Sequence, residues 1–593
     1  MPISAISRML LIGAAAALLL QAQTTTQKLD QLISEAAGAS TIKTAMGVTR
    51  LETQIPALIT ADDLDFGTSK TRVLLIGGLD GADASVQATV GALKWFDTAE
   101  QATGLREDFA ISAVPVANPD AWAQGAGPAN ASGGDPTRGY PPEGDSYQSE
   151  TNPEAEYLWR WIGMHAPDLV VDVRAGSQTQ WLVPESGGPD VKNLAKQLSP
   201  SQRLPSSDQL VSQLGEHAPS ATGTVPAIQV EVKPGDQEFL EKLLAGLKKA
   251  NFVGPSPARK ELQRRLDRTP IQVAEQLAEH YGHQLDNVVY IPAVALIGRI
   301  RLWELTKNPK HLSDVEKIVE PYFSGDKPTF PEKPSGSHLS GHLVFGELAR
   351  VTSKQRYIEL ARVAADRGFD ENGQPNESMP MHREMSDSVF MGGPILAQTG
   401  ALTGEEKYLD MLLRHVKFIR KLDLRPDGLY RNSPLNDAAW GRGNGFPALG
   451  LALSLSYLPR THSAREELTQ AHIAHLDALL PHQDPTGAWH QVIDFPGSYR
   501  ELTSTAMITF SMIRGIRLGW LERSKYEKAI ERAWYAIRTR VAPSGELVDV
   551  CTSTGKQTSL RHYLDRKAIL GKDARGGAMA LLLATEMAAW QSE

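Results

Sequence analysis

The hydrophobic pattern changes character midway along the chain. From Leu29 to about Ala250, short runs rich in Val, Ile and Leu alternate with stretches of helical periodicity. RVLLIGG (72–78), DFAISAVPVAN (108–118), DLVVDVRAG (168–176) and AIQVEVK (227–233) read as strands, and strands spaced in this way predict an α/β sheet. Between Gly125 and Glu154 the sequence is dense in Gly, Pro, Ser and Asn, so it reads as one long loop at a strand end, a common place for function. VGPSPARKE (253–261) marks a break into a different regime.

After Tyr290 the strand signal nearly vanishes. Helical stretches rich in Ala, Gly and Leu on every face open near Ile291, His338, Phe390, Phe446, Thr505 and Gly576. Each but the last is followed by a more charged amphipathic stretch, such as TGEEKYLDMLLRHVKFIRKL (403–422) and ERSKYEKAIERAWYAIRTRV (522–541). A helix that is apolar all round belongs in an interior, and an amphipathic one faces water. Six inner helices ringed by six outer ones make an (α/α)6 barrel. An open solenoid of helical hairpins is the alternative, and the long connections carrying His, Trp, Arg and Asp favour the closed form. The chain is therefore expected to be multidomain, with a leader at 1–23, an α/β domain at 24–254 and an all-α barrel at 255–593.

Composition narrows the function classes. Apolar residues at 41% and charged residues at 22% supply a packed core and give no case for disorder. The formal charge of -8 leaves no basic excess with which to hold phosphates, so nucleic acid is not an expected partner. Cys551 is the single cysteine, which excludes an intrachain disulfide and a multi-thiolate metal site. It ends the strand-like run VDVC and reads as a small buried residue. Residues 1–23 join Arg8, the apolar run MLLIGAAAALLL and a small residue, Ala22, in the pattern of a secretory signal peptide. The run is short for a membrane span, although an uncleaved anchor is the other reading. A periplasmic or secreted protein with no stable membrane span after cleavage is expected.

Connections leading into the inner helices should converge on one mouth. They read SGSHLSGH (335–342), MPMHREMSDSVFMGGP (379–394), LYRNSPLNDAAWGRGNGFPALG (429–450), TGAWHQVIDFPGSYRELTSTAM (486–507) and CTSTGKQTSLRHYLDRKAILGKDARGGAM (551–579). Trp faces for sugars, a guanidinium for a carboxylate and few acids suit an anionic carbohydrate. The order MSDSVFMGG, AAWGRGNGFPALG, WHQVIDFPGSYRELTSTAM and GKDARGGAMALLLATEM resembles glycoside hydrolase families 88 and 105, the unsaturated glucuronyl and rhamnogalacturonyl hydrolases. The resemblance covers about 255–593. It implies an (α/α)6 barrel that acts, without metal or organic cofactor, on an oligosaccharide ending in an unsaturated uronic acid. In that family an aspartic acid protonates C4 of the C4=C5 double bond and water adds at C5.

Asp387 matches the family's catalytic acid. It also stands where a helix N-cap would, with Ser386 and Ser388 as competitors for that role. A helix N-terminus lowers a carboxyl pKa, so burial or a nearby carboxylate must raise it for acid catalysis. The family usually supplies a second aspartate from the preceding connection, but Gly336, Ser337 and His338 occupy that neighbourhood, so either another acid such as Glu384 substitutes, the site is tuned differently, or the barrel no longer performs the family reaction. Arg442 and Trp440 would bind the uronate carboxylate and stack on the sugar, or else form a buried pair. Asn444 would donate to a ring hydroxyl or shape the turn. Phe446 stands where the family commonly has Trp. His338, His382, Trp489 and His490 complete the expected substrate contacts.

The first domain resembles zinc carboxypeptidase-like proteins of the M14 type through LLIGGLDGADAS (74–85), VANPDAW, RGYPP, DLVVDVRAG and QVEVKPGD. The resemblance places Asp80, Asp83 and Arg174 where the family holds its zinc ligands. A guanidinium has no lone pair to give a metal. Glu231 matches the family's general base. A degenerate peptidase site without metal is the expectation, and a charge cluster of Asp80, Asp83 and Arg174 would take the metal's structural place. The competing functions are an (α/α)6 glycosidase acting on saturated sugars, a non-catalytic glycan-binding protein built from two degenerate enzymes, and an active metallopeptidase or amidase.

Overall fold

The computed structural model describes residues 25–143, 147–236, 238–381 and 384–593. The leader expected at 1–23 and His382 lie outside the described residues. Two compact units divide the chain, Met1–Arg264 with Pro496–Tyr499, and Arg265–Phe495 with Arg500–Glu593. Among the described residues no helix is long and apolar enough to cross a membrane.

The first unit is built on an eight-stranded mixed sheet. Its strands are β1 (Ile42–Val48), β2 (Gln54–Ile59), β3 (Thr71–Ile76), β4 (Phe109–Val114), β5 (Leu169–Ala175), β6 (Gln180–Pro184), β7 (Ser201–Leu204) and β8 (Ala227–Val232), in the order β1-β2-β4-β3-β5-β8-β6-β7. The four predicted runs are the parallel centre, β4-β3-β5-β8, where near-continuous apolar sequence reflects burial on both faces. The remaining four strands have weaker patterns. Of these, β1 and β2 form an antiparallel hairpin with a bulge between Ala45 and Gly47. Gly47 is required there, since a Cβ would lie 2.3 Å from Cγ of Tyr157. Helices α1 (Asp83–Thr98), α2 (Pro153–His165) and α3 (Phe239–Lys249) follow β3, the long loop and β8. Leu240, Leu243, Leu244 and Leu247 of α3 join Val171, Ile228 and Val230 of the sheet in one core.

The second unit is a closed ring. Helix α4 (Pro270–His280) leads into α5 (Tyr290–Thr306) and α6 (Pro309–Phe323); a short helix, Gly336–Gly341, then runs into α7 (Leu343–Thr352), followed by α8 (Gln355–Ala365). Next come α9 (Ser388–Thr403), α10 (Glu406–Asp423), α11 (Gly441–Tyr457), α12 (Ala464–Leu479), α13 (Leu502–Arg517), α14 (Arg523–Arg540) and α15 (Ala574–Ser592). Inner helices α5, α7, α9, α11, α13 and α15 each pack on the next, and α15 packs back on α5. That closure makes an (α/α)6 barrel and excludes the open solenoid. The outer helices α6, α8, α10, α12 and α14 cover their preceding partners. The missing sixth outer helix is α4, which precedes the ring in sequence and packs on α15 at its end. Inner helices approach closely where they are small: a Cβ on Gly450 of α11 would sit 2.7 Å from the backbone of Val389 and Phe390 in α9.

The C-terminal ends of the inner helices meet at one end of the barrel in an ion-pair network. Glu586 of α15 accepts from Arg514 Nε (2.9 Å) and Arg517 Nη1 (2.6 Å) of α13, with Arg301 of α5 at 3.3 Å. Glu347 of α7 accepts from Arg350 Nε at 2.9 Å and from the Tyr457 hydroxyl of α11. Side chains from five helix C-termini in mutual contact mean that the inner helices run parallel, so their N-termini share the opposite end.

Candidate active site

Asp387 precedes α9 at that N-terminal end. It is 5% exposed, and its carbonyl starts the helix by accepting from the amides of Phe390 and Met391, both at 3.0 Å. Its carboxylate makes no capping hydrogen bond, so the plain N-cap reading does not account for it. The preceding Ser386 donates its amide to the carbonyl of Asn432 (3.1 Å), and Asn432 donates from Nδ2 to the hydroxyl of Tyr563 (3.2 Å). A Cβ on Gly443 would lie 3.1 Å from Ser386 Oγ, 3.3 Å from the Trp440 ring and 3.5 Å from Cα of Asn432. The segments 384–388, 430–444 and 551–563 therefore converge around Asp387.

Several buried polar atoms of this region lack a partner. Ser386 Oγ, Asn432 Oδ1, Ser433 Oγ, Trp440 Nε1, Gln491 Oε1 and both carboxylate oxygens of Asp423 are buried with no hydrogen-bond partner among the described residues. Buried polar groups are rarely left unpaired, because each unpaired group costs on the order of 1–3 kcal/mol. A concentration of donors and acceptors beside one buried acid is what a site for hydroxyl-rich substrate and water needs.

The structure assigns several predicted contacts to other work. Arg442 is buried and donates through Nη1 to the Cys551 carbonyl (2.6 Å) and through Nη2 to that of Thr552 (2.7 Å). Its guanidinium lies over the Trp440 ring at 4.9 Å, so the two form the buried pair rather than an open clamp and platform. Asn444 shapes the turn: its oxygen accepts from the Tyr430 amide (2.8 Å), and Nδ2 donates to the carbonyls of Tyr430 (2.8 Å) and Trp440 (3.0 Å). Trp489 is fully buried, with its indole donating to the Leu479 carbonyl at 2.8 Å, and it presents no face to a ligand. His490 is buried against Asp484 (3.3 Å), which also takes a bidentate pair from Arg500 (3.0 and 2.9 Å). Burial alone would raise the Asp484 pKa, but Arg500 and His490 hold it well below the usual carboxylate range. His338 is half-buried in the short helix before α7, where Nδ1 accepts from the Ser335 amide at 3.1 Å, and burial lowers its pKa. Phe446 stacks on Phe390 at 5.4 Å, and both meet the edge of Tyr290 from the start of α5. Glu384, the expected substitute acid, is exposed and paired with Lys556 at 2.5 Å.

Sequence reasoning missed Asp423, Asn432 and Tyr563. Asp423 closes an outer helix, an element expected to face water, and only the ring's geometry turns its last side chain inward. It is fully buried, its pKa is pushed up to about 8 by burial, and Arg431 opposes that shift while Asp387 and Glu384 add to it.

In the first unit Asp80, Arg174 and Glu231 lie at the carboxyl ends of the parallel strands, where open α/β sheets bind ligands. Arg174 makes a bidentate pair with Asp172 (2.7 and 2.7 Å), two residues away on the same face of β5. Asp80 accepts from the Ala175 amide (2.9 Å) and Ser85 Oγ (2.7 Å). Glu231 is opposite Arg174 in register and accepts from Gln180 Nε2 at 2.5 Å. Asp83 does not join them: it is exposed at the start of α1 and accepts from the Trp122 indole at 2.9 Å. The expected cluster of Asp80, Asp83 and Arg174 is thus corrected to Asp80, Asp172 and Arg174. Among the described residues no group of three or more His, Cys, Asp or Glu side chains could hold a metal ion.

The fold is a six-hairpin barrel with a buried acid at its N-terminal end, and the family match makes the protein a glycoside hydrolase. Residues 262–591, more than half of the chain, match Glycosyl Hydrolase Family 88, and the chain belongs to that family. It is 25% identical over 311 residues to the unsaturated rhamnogalacturonyl hydrolase YesR of Bacillus subtilis (strain 168), covering 49% of this chain and 86% of that protein. To an unsaturated 3S-rhamnoglycuronyl hydrolase of Alteromonas sp. (strain LOR) it is 27% identical over 219 residues, covering 35% of this chain and 51% of that one. Among solved structures, a family 105 glycoside hydrolase of C. acetobutylicum ATCC 824 superposes with a TM-score of 0.48 at 23% identity, over 55% of this chain and 99% of that one.

Proposed function

We propose that the barrel releases the terminal unsaturated uronic acid from oligosaccharides left by polysaccharide lyases, with Asp387 as proton donor. The observation that carries this reading is the set of orphaned buried donors and acceptors around Asp387. The activities of the relatives, unsaturated rhamnogalacturonyl and rhamnoglycuronyl hydrolysis, point the same way. In the reaction, the Asp387 carboxyl gives its proton to C4 of the C4=C5 vinyl ether, and the ring oxygen stabilises the cation left at C5. Water adds at C5, and its surplus proton goes to the Asp387 carboxylate, restoring the acid. The hemiketal opens by breaking the bond from C5 to the ring oxygen, which leaves a ketone at C5 and a hemiacetal at C1, and collapse of that hemiacetal to an aldehyde releases the neighbouring sugar as its alcohol. Arg442 and Trp440 serve by fixing the loop 551–552 beside the site. Unsaturated disaccharides from pectin, glycosaminoglycan and other lyases test the reading: loss of the double bond's ultraviolet absorbance is expected with one of them. No turnover of any would favour a glycan-binding protein.

For the first unit, the reading supported by the Arg174–Asp172 pair is a metal-free, degenerate peptidase-like domain. The pair fills with its own charges the strand end where a zinc ligand would stand. Elemental analysis of the purified protein is expected to find no stoichiometric zinc, and one zinc per chain would sink this reading.

A further inference from the structure

Helix α10 turns a stripe of apolar side chains toward the ring, Tyr408, Met411, Leu412, Val416 and Ile419, and His415 stands in the same stripe. A polar ring on that face is desolvated, so it is tolerated only where its nitrogens are paired. His415 is fully buried, and both of its nitrogens have a partner. Nδ1 accepts from the Met379 amide at 3.2 Å, and Nε2 lies 2.8 Å from the Ser388 carbonyl. An amide can only donate and a carbonyl only accept, which fixes the tautomer: the proton is on Nε2. Burial pushes the ring's pKa down to about 4, against the opposing effect of the Ser388 carbonyl. The neutral form that the two partners require is therefore the one present near neutral pH.

These partners are the two ends of one short segment. Met379 and Ser388 bracket the chain that leads into α9, and Asp387 is bonded directly to Ser388. A single ring from an outer helix thus ties the start of that segment to its end, one residue from the acid. Helix α9 leaves room for the arrangement at Gly392, one turn beyond Ser388: a Cβ there would lie 2.8 Å from Cβ of Met379 and 2.9 Å from His415 Nε2. The direction of the Asp387 side chain follows from the backbone on either side of it, and the Ser388 carbonyl belongs to the next residue.

We propose that His415 is a positioning residue for Asp387: its neutral ring holds Met379 and Ser388 in register, and so sets the approach of the carboxyl to C4 of the substrate. This rests on the vinyl-ether reading above. His415 gives no proton and takes none in the reaction. Its contribution is geometric, and proton transfer is sensitive to geometry, since a misplacement of about 1 Å costs up to about 100-fold.

The test compares His415→Phe, which keeps a planar ring but pairs with neither end, with His415→Gln, whose amide can donate and accept as the imidazole does. Below the melting range, His415→Phe is expected to lower kcat by about 10- to 100-fold with KM within about twofold, and His415→Gln to return kcat to within about threefold of the wild type. Hydrogen exchange of the Met379 amide, followed by mass spectrometry on overlapping peptides, reads the contact without substrate. It should speed up by at least about tenfold in His415→Phe and stay slow in His415→Gln, with α15 unchanged in both. If His415→Phe does not fold, Gly392→Ala takes its place, because the added methyl group displaces the ring from Ser388 while both partners stay in the chain; the same fall in kcat is expected. Unchanged kcat in a variant whose Met379 amide exchanges fast overturns the positioning role, as does an equal loss of kcat in His415→Phe and His415→Gln. Slow exchange in His415→Phe rejects the tie itself. If the wild type turns over no unsaturated uronide, the functional reading fails and takes the positioning role with it, whereas an active wild type beside an unimpaired His415→Phe overturns the role alone.

Discussion

Asp387→Asn is expected to cut turnover of an unsaturated uronyl disaccharide by about 10³-fold, within the range that general acid catalysis supplies. Substrate binding should survive, since the amide keeps the shape of the carboxyl and the orphaned groups around it are untouched. Stability should change by less than about 1 kcal/mol, because the side chain makes no capping hydrogen bond and a charge at a helix N-terminus contributes only ~0.3–1 kcal/mol. Absorbance loss at saturating substrate, ligand-induced fluorescence change and a thermal melt measure the three quantities. An equal loss of turnover and of melting temperature would restore the plain cap reading. Undiminished turnover would remove Asp387 from the chemistry altogether.

Glu586→Ala should have the opposite signature. Glu586 is buried and compensates Arg514, Arg517 and Arg301 where the inner helices end. Removing one partner of a buried ionic group leaves its cations uncompensated, at a cost of about 3–5 kcal/mol. The end that carries Asp387 is formed by the other termini of the same helices, so kcat below the melting range should stay within about twofold. Denaturant unfolding and kinetics on the same preparation separate the two effects. A pH dependence follows from the same groups. Burial alone would raise the pKa of Glu586 and Glu347, but Arg514, Arg301 and Arg350 hold both below the ordinary value of 4.5. Their contribution is therefore present above the unfolded pKa and is lost as pH falls through the depressed folded values. Glu586→Ala should flatten the acid side of the stability profile; a destabilisation equal at every pH would mean that packing, not charge, holds this end.

The parallel strands and the helix alternation were legible because burial writes itself into composition. A strand covered on both faces reads as unbroken Val, Ile and Leu, and a helix buried in a ring reads as Ala, Gly and Leu without a polar side. The strands β1, β2, β6 and β7 were not legible, because they lie toward the edges of the sheet and their patterns are short. The sixth outer helix was missed for a different reason: α4 and α15 are partners in space but stand at opposite ends of the unit's sequence.

For the site, the sequence by itself singled out Asp387 as the candidate acid, through its place at the start of an inner helix and the WGRGNG element downstream. It also put at the end of β5 an arginine, Arg174, whose guanidinium has no lone pair to give a metal. Only the tertiary structure decided which polar side chains are spent and which are left over. Arg442, Asn444, Trp489 and His490 have the residue types of a sugar site, yet their hydrogen bonds close on backbone carbonyls and on Asp484. Asp423, at the end of a water-facing helix, has no sequence mark that sets it apart, and ring closure buries it with both carboxylate oxygens unpaired among the described residues. A residue's capacity to bind is written in its type, but whether that capacity is free depends on partners distant in sequence, which packing alone brings together.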